Sequence, residues 1–111
     1  MKTIKSYKLN NGSKPFDNWL QSLDKNLKKR VLNKLIQLKN ENYSNCSILK
    51  QTGGVKEARI KTTSGLRIYF AEENNEIIIL LAGGDKDTQE KDIENAKEYL
   101  EDYKQRRQKS L

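Results

Sequence analysis

Arg59, Lys61, Arg67 and Tyr69 lie in two short segments, VKEARIKT (residues 55–62) and LRIYFA (residues 66–71). Both alternate apolar and polar residues, and a period of two puts every second side chain on one face of a strand. Ala58 and Ile60 then share a face with Leu66, Ile68 and Phe70. Glu57, Arg59, Lys61, Arg67 and Tyr69 take the other face. Paired as a hairpin, the strands set Arg59 opposite Arg67, with Lys61 and Tyr69 flanking the pair. Like charges opposed across a sheet cost up to about 1 kcal/mol. A bound polyanion reverses that sign, because guanidinium forks match phosphate oxygens. Two solvated arginines partly neutralised by Glu57 are the structural alternative.

A second candidate follows the most apolar run of the chain. Ile77 to Leu81 ends in Ala82-Gly83-Gly84, and Lys86 comes just beyond. If Ala82 lies beside Arg67, the glycines leave an unobstructed approach to the arginine pair. Lys86 then projects near the same face. Without the arginines, Gly-Gly is only a connector.

The elements that must position these residues can be read from spacing. TSG (residues 63–65), with Gly65 left-handed, suits a three-residue hairpin loop. Counting outward pairs Thr62 with Leu66, Ile60 with Ile68 and Ala58 with Phe70. Asn74-Asn75 suits a two-residue turn. It pairs Glu73 with Glu76, Phe70 with Ile79, Ile68 with Leu81, Tyr69 with Leu80 and Arg67 with Ala82. Residues 55–82 are thus expected to form an antiparallel meander. Residues 3–9 read as a further strand. Ser13 is the expected N-cap of a helix with Pro15 in its first turn and Phe16, Trp19, Leu20 and Leu23 on its stripe. Asp24 caps a second, carrying Leu27, Val31, Leu35 and Leu38. This helical hairpin should cover the Ile60/Ile68/Phe70/Leu81 face. Residues 39–54 read as a loop. Residues 87–107 form a last helix with the stripe Ile93, Ala96, Leu100 and Tyr103. Its acidic start and basic end suit the helix dipole. The expected class is α+β: a small antiparallel or mixed sheet packed on an N-terminal helical hairpin, with a C-terminal helix.

The chain has 111 residues, the size of one domain, and a formal net charge of +7. Its cations are spread along the sequence, giving a broad positive field that favours nucleic acid or an acidic protein. There is no histidine and one cysteine, Cys46. A cysteine nucleophile paired with histidine and a His/Cys zinc site are therefore not available. Acid–base chemistry would fall to Lys, Tyr, Glu or Asp. No metal and no cofactor are expected. A lone cysteine, the lack of a long apolar run and an N-terminus without the apolar core of a secretory signal point to a cytoplasmic protein with no membrane partner.

The segments GGVKEARI, GLRIYF and LLAGGDKDTQEKDI resemble the RelE/ParE superfamily of toxins from toxin–antitoxin modules. The branch they resemble most is the HigB-like, phage Gp49-like addiction module killer proteins, from Phe16 to about Ala96. The resemblance implies a RelE-like sheet on a helical hairpin. It implies the toxin of a type II toxin–antitoxin system, a metal-independent, ribosome-dependent endoribonuclease that cuts mRNA in the A site. The site residues it carries over are Arg59, Arg67, Tyr69 and Lys86, with Lys61 and Gln89 as RNA-binding residues. The implied partners are the ribosome, mRNA and a cognate antitoxin, a small helix-turn-helix DNA-binding protein. In such chemistry the mRNA 2′-hydroxyl attacks its adjacent phosphate. Arg59 and Arg67 would hold that phosphate, Lys86 or Lys61 would take the proton, and Tyr69 would stack on a base or share the proton transfer. A lysine base must be depressed from its ordinary value of about 10.4, the direction in which clustered cations act. A ParE-like gyrase inhibitor, a non-catalytic nucleic-acid-binding module and an inert relative kept for antitoxin binding are the alternatives.

Overall fold

Pro15 in the first turn and Asp24 as N-cap begin the two N-terminal helices, α1 (Pro15–Ser22) and α2 (Lys25–Lys39). The Asp24 carboxylate accepts a 2.9 Å hydrogen bond from the Leu27 amide, satisfying one of the orphan donors of a helix start. Ser13 does not cap α1. The N-cap is Lys14, and Ser13 Oγ instead accepts from Asn18 Nδ2 at 2.9 Å. The strands are β1 (Thr3–Ser6), β2 (Cys46–Ile48), β3 (Lys56–Ile60), β4 (Leu66–Glu73) and β5 (Ile77–Gly84), followed by helix α3 (Gln89–Lys109). This computed structural model describes residues 1–109.

The strands form one mixed sheet in the order β1-β5-β4-β3-β2, parallel only between β1 and β5. Helices α1 and α2 cover one face, where Phe16, Val31 and Leu38 pack on Ala58, Ile60, Leu66, Ile68, Phe70, Ile78 and Leu80. Helix α3 covers the other, where Ala96 and Leu100 pack on Tyr69, Ala71, Ile79, Leu81 and Tyr7. The α+β class and the helix stripes follow the spacing, and a fifth strand adds to them. Residues 39–54, read as a loop, contain β2, whose Cys46 pairs with Ala58 and Ile48 with Lys56. Three residues are too few for alternation to stand out.

Both hairpin registers differ from the count. In β3/β4, Ile60 faces Leu66, Ala58 faces Ile68 and Lys56 faces Phe70. This slip of two residues leaves every side chain on its expected face. It sets Arg59 directly opposite Arg67, as expected for the two arginines, whereas the counted register would have set Arg59 opposite Tyr69 and Lys61 opposite Arg67. In β4/β5 the turn takes three residues, with Asn74 and Asn75 at φ of 55° and 57°. Glu73 therefore pairs with Ile77, and Phe70 with Leu80. A slip of one exchanges faces, so Ile79 and Leu81 lie under α3 rather than under the helical hairpin. A register shift at Tyr69/Phe70 then pairs Tyr69 with Ala82 and Arg67 with Gly84. Leu81 is the extra residue of a bulge there.

Candidate nucleic-acid interface

The end of the sheet where β3 meets β4 gathers most of the expected cations. Arg59, Lys61 and Arg67 line one groove of about 240 Å³ together with Asn45, Ile60, Gly65 and Leu66. None of these seven residues carries a carboxylate. Arg59 and Lys61 are exposed. Lys86 reaches the same place from the β5–α3 connection: its amide donates to Ser64 O at 3.2 Å, tying that connection to the β3–β4 loop. Gly65 has φ of +69°, and a Cβ placed there would lie 3.2 Å from Arg67 Nη1 and 3.3 Å from Lys86 Cβ. The arginine fork and the lysine stem thus converge over one bare backbone position.

Arg67 is more tightly held than an unpaired surface cation. Its Nη1 donates to Gly65 O at 2.8 Å. Its Nε is buried without a hydrogen-bond partner and lies 3.6 Å from Glu57 Oε2. With Nη1 engaged once and Nε buried beside Glu57, the remaining Nη donors are what the fork offers an incoming anion. Glu57 is itself buried, and its Oε2 accepts from Gln89 Nε2 at 2.9 Å. Gln89 therefore spends its amide on Glu57 at the start of α3 and does not line the groove.

Tyr69 also lies apart from the groove. It is fully buried under α3, and among the described residues its hydroxyl has no hydrogen-bond partner. Burial, with Glu57 and then Asp92 nearby, pushes the phenol well above its ordinary range. Stacking on an RNA base, one of the two roles expected of it from the resemblance, is not open to it in this packing. The alternation turns Tyr69 away from the face under the helical hairpin, and there the apolar stripe of α3 seals it.

The double glycine is likewise filled rather than open. A Cβ on Gly83 would overlap the Trp19 indole, and one on Gly84 would overlap the Asp92 carboxylate. Glycine is needed there so that α1 and α3 can each touch the strand. Asp92 accepts from Thr88 Oγ1 at 2.5 Å, and burial raises its pKa.

One groove residue carried no sequence signal: Asn45 sits in a polar connection where asparagine is unremarkable. Glu57, placed on the arginine face by its alternation, lies behind the groove, and its contact with Gln89 across 32 positions was not legible in the sequence. Among the described residues no group of three or more His, Cys, Asp or Glu side chains is placed to share a metal ion. Among the described residues no helix is long and apolar enough to cross a membrane.

Comparison with known proteins adds an independent line. A relative from Haemophilus influenzae, described as an uncharacterized protein, is 42% identical over 84 residues, covering 74% of this chain and 82% of its own length. The family model "Phage derived protein Gp49-like" matches residues 18–104, which include every groove cation named above. That family is associated with the toxins of toxin–antitoxin systems. With most of its length matched, from α1 to the last turns of α3, this chain belongs to the phage-derived Gp49-like family.

Proposed function

We propose that the chain is the toxin of a type II toxin–antitoxin module and acts as a ribosome-dependent endoribonuclease on mRNA in the A site. The observation that carries this is the directly opposed Arg59–Arg67 pair, sharing a carboxylate-free groove with Lys61. Glu57 offsets the Arg67 charge from behind, Arg59 has no such partner among the described residues, and a phosphodiester relieves the repulsion that remains.

The scissile phosphate sits between the two guanidiniums. The mRNA 2′-oxygen bonds to phosphorus as the bond to the 5′-oxygen breaks, leaving a cyclic phosphate and a free 5′-hydroxyl. The neutral amine of Lys61 or Lys86, both exposed residues, takes the 2′-proton, and the other lysine, as ammonium, gives a proton to the departing 5′-oxygen. The guanidiniums stabilise the added charge of the pentacovalent phosphorus, a kind of contribution often worth about 10²–10³-fold in rate. Tyr69 and Gln89 act by packing β4 and by holding Glu57 against Arg67. The ribosome supplies the rest of the RNA grip. A cognate antitoxin, a small helix-turn-helix protein, holds the basic chain inactive.

The test is expression in cells of the wild type, Arg67→Ala and Arg67→Lys, with sequencing of ribosome-associated mRNA 5′ ends. Growth arrest with A-site cuts that disappear in Arg67→Ala is the expected result. Undiminished cutting in that variant, or arrest with gyrase-linked DNA breaks and intact mRNA, would overturn it.

A further inference from the structure

A second cleft, of about 330 Å³, opens between α2 and β3. It shares Asn45, Arg59, Ile60 and Lys61 with the groove described above and adds Arg30, Asn33, Lys34 and Gln37. The two therefore adjoin along these four shared residues. The four added residues stand at i, i+3, i+4 and i+7, a single row along α2. From Arg30 to Gln37 that row extends about 10 Å at the rise of a helix.

Its chemistry is one-sided. Arg30, Lys34, Arg59 and Lys61 bring four cations, and no lining residue is acidic. The chain has 15 Asp and Glu. Yet among the described residues none of these four cations enters an ion pair. Lys34 is the least expected of them, being only 7% exposed. Its Nζ donates to Ser44 O at 3.1 Å, which aims a nearly desolvated amine at the cleft. Asn33, Gln37 and Asn45 interleave amides, which offer both donor and acceptor to base edges.

From this geometry we infer that the α2–β3 cleft binds the single-stranded RNA segment that continues from the phosphate held by Arg59 and Arg67. Arg30 and Lys34 take backbone phosphates, and Asn33, Gln37 and Asn45 read bases. The inference rests on the proposed RNA-cutting function and extends it to the determinants of sequence preference. RNA fits better than an acidic protein segment, because Ile60 is the one apolar residue in the lining. A docked helix or strand needs apolar anchors that this cleft does not offer.

The test is fluorescence anisotropy of a labelled single-stranded RNA at several salt concentrations. It compares the wild type, Arg30→Gln/Lys34→Gln, Arg30→Glu alone, Asn33→Ala/Gln37→Ala and Arg59→Ala, with thermal melts as a check on folding. Arg30→Glu, at an exposed site, keeps the question answerable should the Lys34 change disturb the fold. Removing both cations should weaken binding about tenfold and lower the slope of log affinity against log salt by roughly 1.4, from about 0.7 per phosphate contact. The amide variant should alter preference among homopolymers and leave the slope unchanged. If Arg59→Ala loses affinity while the Arg30 and Lys34 variants match the wild type, the cleft inference fails alone. If the wild type binds no RNA even at low salt, the cleft inference fails, while A-site cutting in cells decides the RNA-cutting function separately. Displacement of the RNA by polyglutamate at equal charge concentration would also overturn the inference, marking the cleft as a protein contact.

Discussion

Glu57 Oε2 lies 3.6 Å from Arg67 Nε and accepts a 2.9 Å hydrogen bond from Gln89. A buried carboxylate thus sits behind one arginine of the opposed pair and links it to the first residue of α3. Glu57→Gln should leave the Arg67 guanidinium short of its counter-charge and lower stability by about 1–3 kcal/mol. RNA cutting should fall further than the loss of folded protein explains. Urea denaturation beside single-turnover cutting on ribosomes separates the two effects.

Arg59, exposed and across from Arg67, is expected to trade stability for function. Arg59→Ala removes a like-charge contact, so the protein should become more stable by a few tenths to about 1 kcal/mol. The same change should abolish growth arrest. A melting temperature that drops would contradict the repulsive reading of the pair.

Tyr69→Phe addresses the tyrosine directly. Its hydroxyl is buried and unpartnered, so deleting it should be neutral or stabilising by up to about 1 kcal/mol. Cutting should stay within about twofold of wild type, an interval well below the ~10²-fold loss expected when a proton-transfer group is removed. A large loss of activity in a well-folded variant would return Tyr69 to the chemistry.

Gly83→Ala forces a methyl group into the ring of Trp19. Overpacking of this kind typically costs about 1–3 kcal/mol. Trp19 is the chain's one tryptophan. Its fluorescence should therefore shift in the variant and report unfolding at a lower urea concentration.

Glu72 gives the acid limb of stability. Burial pushes its carboxyl up, but hydrogen bonds from Lys2 and Lys56 outweigh this, and its pKa lies below the ordinary 4.5. The folded state therefore favours the charged form. That contribution is fully present above about pH 4.5 and is lost as the pH falls through the lowered folded value. Glu72→Gln should lower the melting temperature at neutral pH. The gap to wild type should then close as the pH falls below 4.5 and through that lowered value. An equal gap at every pH would show that packing, and not charge, is what Glu72 contributes.

Local pattern in the sequence determined the α+β class, the helix stripes, the Asp24 cap and the shared face of Arg59, Lys61 and Arg67. These depend on periods of 3.6 and 2, which neighbouring residues set among themselves. The tertiary structure alone decided what lies over that face. Whether the turn at Asn74-Asn75 has two residues or three is a matter of one amide pairing, and one step exchanges the faces of β5. Whether Tyr69 is wet or dry depends on where α3 lands, more than twenty residues later in the chain. The row Arg30, Asn33, Lys34, Gln37 was present in the sequence at helical spacing. It became a cleft only because β3 brought Arg59 and Lys61 up against it, and contacts between segments so far apart leave no periodic trace.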